Sequence, residues 1–116
     1  MAKIERYVDV DLDLLLQKID DGILSGISAT LEDTSSIELA HGKKAVFKVY
    51  ERYSAFGGNR VSLSIFATDA AANGKVFLSA IAAGGSEAMF FKINTFGEEA
   101  FLDKLVEIID DFDFKA

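Results

Sequence analysis

The side chains best suited to hold a ligand are Tyr50, Arg52, Tyr53, Arg60, Ser62 and Ser64. Tyr50 and Arg52 are two residues apart, the spacing that points side chains to one side of a strand. Arg60 and Ser62 follow across Gly57-Gly58, a pair that supplies the positive φ of a hairpin turn. The four are therefore expected as near neighbours on adjacent strands. Two guanidinium forks beside phenol and hydroxyl groups suit a carboxylate or a phosphate. Tyr50, Arg52, Arg60 and Ser62 thus form the candidate ligand-binding set. The same residues also suit cross-strand pairing on a solvent face, with Arg52 or Arg60 against Glu51 or Glu87.

Other reactive types are sparse. His41 is the only histidine and stands beside a turn glycine. No Gly-x-Ser-x-Gly elbow accompanies it, and one imidazole does not make a zinc site or a catalytic triad. Asp9, Asp11, Asp13 and Asp20 fall at calcium-loop spacing. Leu14 stands where that loop needs its turn glycine, so helix capping explains the acids better. Gly57-Gly58 and Gly84-Gly85 lack the Gly-Lys-Ser/Thr ending of a phosphate loop. The chain has no cysteine, which excludes disulfides, thiolate metal sites and a thiol nucleophile. No catalytic residue, cofactor or metal site is identified, and an enzyme is the least supported reading.

The formal net charge is −7. It repels a phosphate backbone at long range, so no nucleic-acid partner is expected. Charge is segregated along the chain. Residues 41–60 carry five basic side chains against one acid, whereas residues 94–113 carry one lysine against seven acids. These are two solvated faces or two complementary surfaces in an assembly. The first residues lack the form of a signal peptide. The longest near-apolar run, Val76–Ala83, is too short to span a bilayer, so no membrane partner is expected. The cytoplasm is the default compartment, and the absence of cysteine suits it.

Periodicity gives the elements that must position these groups. Lys3–Val10 alternates as a short strand. Asp11 is the predicted N-cap of a helix to about Leu24, with Leu12, Leu15, Leu16, Ile19 and Ile23 on its apolar side. Ile27–Glu32 alternates again, and Asp33–Ser36 is read as a turn, bulge or loop. Lys43–Tyr53 is a strand with Ala45, Phe47 and Val49 on the core side, opposite Lys44, Lys48, Tyr50 and Arg52. Val61, Leu63, Ile65 and Ala67 continue that core side on the next strand. Asn73-Gly74 is a hairpin signal. Val76–Ala83 and Ala88–Ile93 are the last strands. Thr95 to Glu98 forms a capping box, and Phe101, Leu102, Leu105, Ile108, Ile109 and Phe112 make one apolar stripe on a long final helix.

The plan is a single α+β domain over residues 1–116. A strand and a helix precede four or five antiparallel strands in a curved meander, packed on the C-terminal helix. It resembles the helix-grip arrangement and TATA-binding-protein-like domains. Val76–Ala83 is apolar on both faces, and Phe66 interrupts an otherwise polar side. A half-exposed antiparallel sheet should alternate. Either the first helix covers the second face or another copy does. Phe66, Phe77, Ile81 and Phe90 are the candidate interface of a homo-oligomer. The alternative is a small-molecule binder of apolar or anionic ligands, with a cavity between sheet and C-terminal helix lined by Phe47, Leu63, Phe101 and Leu105.

Tyr50-Glu51-Arg52-Tyr53, Gly57-Gly58-Asn59-Arg60-Val61-Ser62-Leu63, Phe77-Leu78-Ser79-Ala80-Ile81, Gly84-Gly85-Ser86 and Phe91-Lys92-Ile93-Asn94-Thr95-Phe96-Gly97-Glu98-Glu99 resemble an uncharacterised family of small single-domain bacterial proteins of unknown function. The resemblance covers most of the chain. It implies that the whole chain is the functional unit and that its setting is a bacterial cytoplasm. It carries no activity, cofactor or catalytic residue.

Overall fold

In the computed structural model, which describes residues 1–26, 28–53, 60–84 and 101–111, the chain begins as strand β1 (Ala2–Val8). Ile4, Arg6 and Val8 turn toward the interior, and Lys3, Glu5 and Tyr7 are exposed, following the two-residue period of a strand. Asp11 then caps helix α1 (Leu12–Leu24). It sits in extended backbone at φ −67° and ψ 132°, and its carboxylate accepts the Leu14 N–H at 3.1 Å. Asp13 adds negative charge at the positive end of the helix dipole. Leu12, Leu15, Leu16, Ile19 and Ile23 are buried, as their spacing predicts. Burial of each contributes roughly 2 kcal/mol. The helix ends where Ser25 donates its hydroxyl to the Gly22 carbonyl at 2.7 Å.

Four consecutive strands follow: β2 (Thr30–Glu38), β3 (Lys44–Tyr53), β4 (Arg60–Thr68) and β5 (Val76–Gly84). Together with β1 they form an open antiparallel sheet of order β1-β5-β4-β3-β2. The short connections make β2 to β5 a meander, as expected. The crossover through α1 places β1 on the far edge, beside β5. Two boundaries differ from the sequence reading. The strand expected over Ile27–Glu32 starts at Thr30 and runs through Asp33–Ser36 to Glu38, with a register shift between Leu31 and Asp33. A bulge absorbs the extra residue and the ladder continues. The Asn73-Gly74 turn exists, with Gly74 at φ 78°, but it lies inside a longer β4–β5 connection.

The larger correction concerns β3. Ala45, Phe47 and Val49 were expected on the core side. Register pairs Val46 with Ala67, Lys48 with Ile65, Tyr50 with Leu63 and Arg52 with Val61. Directly opposed residues share a face, so the interior side of β3 carries Val46, Lys48, Tyr50 and Arg52. Phe47 is 46% exposed and Tyr50 is fully buried. Helix α2, described over residues 101–111, packs on this same side. Its Phe101, Leu102, Leu105 and Ile109 join the α1 leucines and the inward residues of β3, β4 and β5 in one core. Ile108 meets α1 at Gly22, where an added Cβ would stand 2.8 Å from Ile108 Cγ1. Both described helices thus cover one face of the sheet.

The Gly57-Gly58 turn, the Ala88–Ile93 strand, the capping box at Thr95, Phe90 and Phe112 lie outside the described residues.

Candidate functional site

The proposed anion set divides between the two faces. Tyr50 and Arg52 point to the helix side, while Arg60 pairs with Tyr53 and Ser62 with Glu51 on the other side. The parity of the β3–β4 hairpin decides this, because a neighbour shifted by one residue changes face. Arg60 is bound to the Glu51 carboxylate. The Ser62 hydroxyl donates to the Ala83 carbonyl at 3.1 Å. The four residues therefore do not converge on one anion. The cavity expected between sheet and C-terminal helix loses a wall in the same way. Leu63, Phe101 and Leu105 are buried in the core, while Phe47 faces out.

What the helix side holds instead is a polar cluster centred on Asp20. The Tyr50 hydroxyl donates to Asp20 Oδ1, and Lys48 Nζ lies 2.9 Å from Asp20 Oδ2. Burial pushes the Tyr50 phenol well above its ordinary range, and the hydrogen bond and negative charge of Asp20 push it further. A phenol held neutral is a donor and not a nucleophile. Arg52 stands 4.6 Å from the centre of the Phe101 ring, in cation–π geometry. Burial lowers the Arg52 pKa. Lys44 bonds Asp13 at 2.6 Å, which raises the Lys44 pKa against a smaller opposing effect of burial. These contacts fasten α1 and α2 to β3. Asp20 was missed as a partner, although it follows Leu16 by four residues and so borders the buried stripe.

The opposite face is different in kind. It carries Phe66, Phe77 and Ile81, three of the four expected interface residues. One cross-strand row runs Tyr7, Phe77, Thr68, Ala45, Ile37. The next runs Glu5, Ser79, Phe66, Phe47, Ser35, and the third Lys3, Ile81, Ser64, Val49, Asp33. Tyr7 and Phe77 pack with their ring planes tilted by 56° and ring centres 5.3 Å apart. Tyr7 is 55% exposed, Phe66 38% and Ile37 62%. The charges at the margins are paired within the chain, Lys3 with Glu5 at 3.3 Å and Arg60 with Glu51.

At one end of this face the β2–β3 and β4–β5 connections come together. The Lys44 N–H donates to Asp69 Oδ1 at 2.9 Å, and the Thr68 hydroxyl donates to the Lys44 carbonyl at 2.8 Å. His41 adopts a left-handed conformation, φ 64°, in the 3-10 turn Ala40–Gly42. Two cavities flank these connections. One of about 360 Å³ has Tyr7, Ala45, Phe66 and Phe77 on the sheet side. The other, about 390 Å³, is bordered by His41, Lys43 and Asp69. Leu39 and Ala70 to Ala72 line both. A third groove of about 490 Å³ between α1 and α2 has Lys18 and Lys104 interspersed with Asp21, Glu107 and Asp111. Mixed signs at that spacing give it no net preference for an anion or a cation.

Among the described residues no three His, Asp or Glu side chains group as metal ligands, and no helix is long and apolar enough to cross a membrane. We found no match to the chain among curated proteins and none among solved structures. The model of a family of unknown function, DUF6054, matches residues 1–113 of the 116, and the chain belongs to that family.

Proposed function

We propose that the protein is a non-enzymatic assembly domain whose copies meet through the sheet face opposite the helices. The observation that carries this reading is the row structure of that face. Phe47, Phe66, Phe77 and Tyr7 lie on adjacent strands, away from both described helices. Contiguous exposed apolar surface of this kind marks interaction sites.

Charge favours a second copy as the occupant. At the register positions of this face, Lys3 and Arg60 oppose Glu5, Asp33 and Glu51, so the face is nearly neutral in a chain of net charge −7. Two such faces meet without the like-charge repulsion that two helix faces would generate. Size agrees as well. Five strands about 4.8 Å apart and some seven residues long, at about 3.3 Å each, give a projected footprint of roughly 550 Å². The accessible area of a side-chain-covered face exceeds its projection, and a standard interface uses about 800 Å² per partner. Sheet-on-sheet packing of this type is a common way to close an open sheet. The cytoplasm is the compartment we assign, on the basis of cysteine-free composition.

Native mass spectrometry of the full chain tests the reading. A dimer or larger species is expected at micromolar concentration. Phe66→Glu and Phe47→Glu should each yield a monomer with unchanged far-UV circular dichroism, because both side chains are already substantially exposed. A wild-type monomer, or oligomers that survive both substitutions, would overturn it.

A further inference from the structure

The two cavities at the end of the open face share Leu39 and Ala70 to Ala72 and so lie next to each other. The inner one is apolar: Phe66, Phe77 and Ala45 make the floor and Tyr7 stands at one side. The outer one is bordered by His41 and Lys43. Neither of those two side chains has an ion-pair or hydrogen-bond partner among the described residues. Asp69 also borders this cavity, but one of its oxygens accepts the Lys44 N–H at 2.9 Å, which ties the carboxylate to the strand. Three consecutive alanines keep the wall low, so the floor remains accessible. Each cavity falls in the few-hundred-Å³ range of small-molecule sites.

An open apolar depression next to an ammonium and an imidazole, both without a partner among the described residues, matches one ligand chemistry. We propose that the two cavities act as one trough that binds a free single-chain fatty carboxylate, with its alkyl chain over Phe66 and Phe77 and its head group at Lys43 and His41. Lys43 supplies the charge-assisted contact and His41 a donor. The loops supply the walls, so the site does not depend on a second copy. Tyr7, Phe66 and Phe77 also belong to the proposed assembly face, so a docked second copy competes with the ligand, whereas Phe47, which assembly also requires, does not line the site.

Isothermal titration calorimetry of the full-length Phe47→Glu variant, monomeric under the assembly reading, with sodium laurate kept below its micelle concentration tests this, and the substitutions below are made in that background. One saturable site per chain is expected. Acetate should not bind, because the alkyl chain carries the contact area. Dodecylammonium should bind at least about ten-fold more weakly, the effect of losing one favourable ionic contact. Lys43→Glu should weaken laurate by at least the same factor, about ten-fold, and leave dodecylammonium no weaker. Ala72→Trp, at an exposed position, should fill the trough and remove laurate binding while the far-UV spectrum is preserved. Wild type should bind laurate more weakly than Phe47→Glu where a second copy covers the face and equally where none does, so the two readings fail separately. Absence of saturable laurate binding would overturn the proposal. So would equal affinity for the two head groups, or binding untouched by both trough substitutions. Co-sedimentation with phosphatidylcholine vesicles in place of monomeric laurate binding would overturn it in favour of a lipid surface.

Discussion

Tyr50 and Asp20 are joined across the junction of β3 and α1, the phenol donating to one carboxylate oxygen while Lys48 Nζ stands 2.9 Å from the other. Tyr50 is fully buried, and the Lys48 side chain is 12% exposed. One carboxylate therefore satisfies two groups that water reaches poorly. Removing it leaves an unpaired phenol and an uncompensated ammonium. Asp20→Ala should destabilise the fold by about 2–4 kcal/mol, and Tyr50→Phe, which removes one donor only, by about 1 kcal/mol. Urea denaturation midpoints measure both. An Asp20→Ala midpoint equal to wild type would show that the cluster does not hold α1 to the sheet.

The same pair sets a behaviour in alkali. The Tyr50 pKa is raised above its unfolded value, first by burial and then by Asp20. A raised folded pKa means that the native state keeps a proton the unfolded chain releases. The stabilisation is fully present below the unfolded value of about 10 and declines as pH rises above it, by about 1.4 kcal/mol per pH unit for one proton. Wild type should lose stability more steeply above pH 10 than Tyr50→Phe, by that single-proton slope. Parallel stability profiles for the two proteins would contradict this assignment.

Gly22 of α1 packs against the Ile108 side chain of α2. Alanine at position 22 gains about 1 kcal/mol of helix propensity. Its Cβ, however, would stand 2.8 Å from Ile108 Cγ1, and overpacking of that kind costs roughly 1–3 kcal/mol. Gly22→Ala should therefore be neutral to destabilising by about 2 kcal/mol. Combined with Ile108→Ala, which empties the contested space, it should recover the propensity gain. The pair should then be more stable than the sum of the single effects by at least about 1 kcal/mol. Strict additivity would mean that α1 and α2 do not meet at this point.

Local rules sufficed where one element determines its own geometry. Asp11 caps α1, and the five aliphatic residues after it are buried, because spacing and hydrogen-bonding chemistry act within a few residues. The same holds for the stripe Phe101, Leu102, Leu105 and Ile109. The α+β plan and the meander also follow from short connections between alternating segments. The orientation of β3 did not follow. Ala45, Phe47 and Val49 look like the core side, and Lys48, Tyr50 and Arg52 look like the wet side. Their inversion rests on partners from distant segments: Asp20 for Lys48 and Tyr50, and Phe101 for Arg52. Long polar side chains can bury their stems when such partners exist, and no window of the strand itself reveals them. The candidate site divided for the same reason. Once β3 turns over, Tyr50 and Arg52 leave Arg60 and Ser62, whereas the β4–β5 register puts Phe66 and Phe77, grouped in the sequence reading as candidate interface residues, on one face.

The placement of β1 beside β5 sets the order in which the chain becomes a protein. Register joins Ala2 to Ala82 and Val8 to Val76, so the partners lie 68 to 80 residues apart. On the ribosome β1 emerges well before the strand it needs. α1 can form from its own cap and spacing, and β2 to β5 can zip hairpin by hairpin, but Ile4 and Val8 wait for the end of the meander. Among the described strand pairings, β1 with β5 has the largest sequence separation, so closing that long loop is expected to be slow beside helix formation. Until then both β1 and the free edge of β5 are open strands, the state in which a nascent chain most needs chaperone protection.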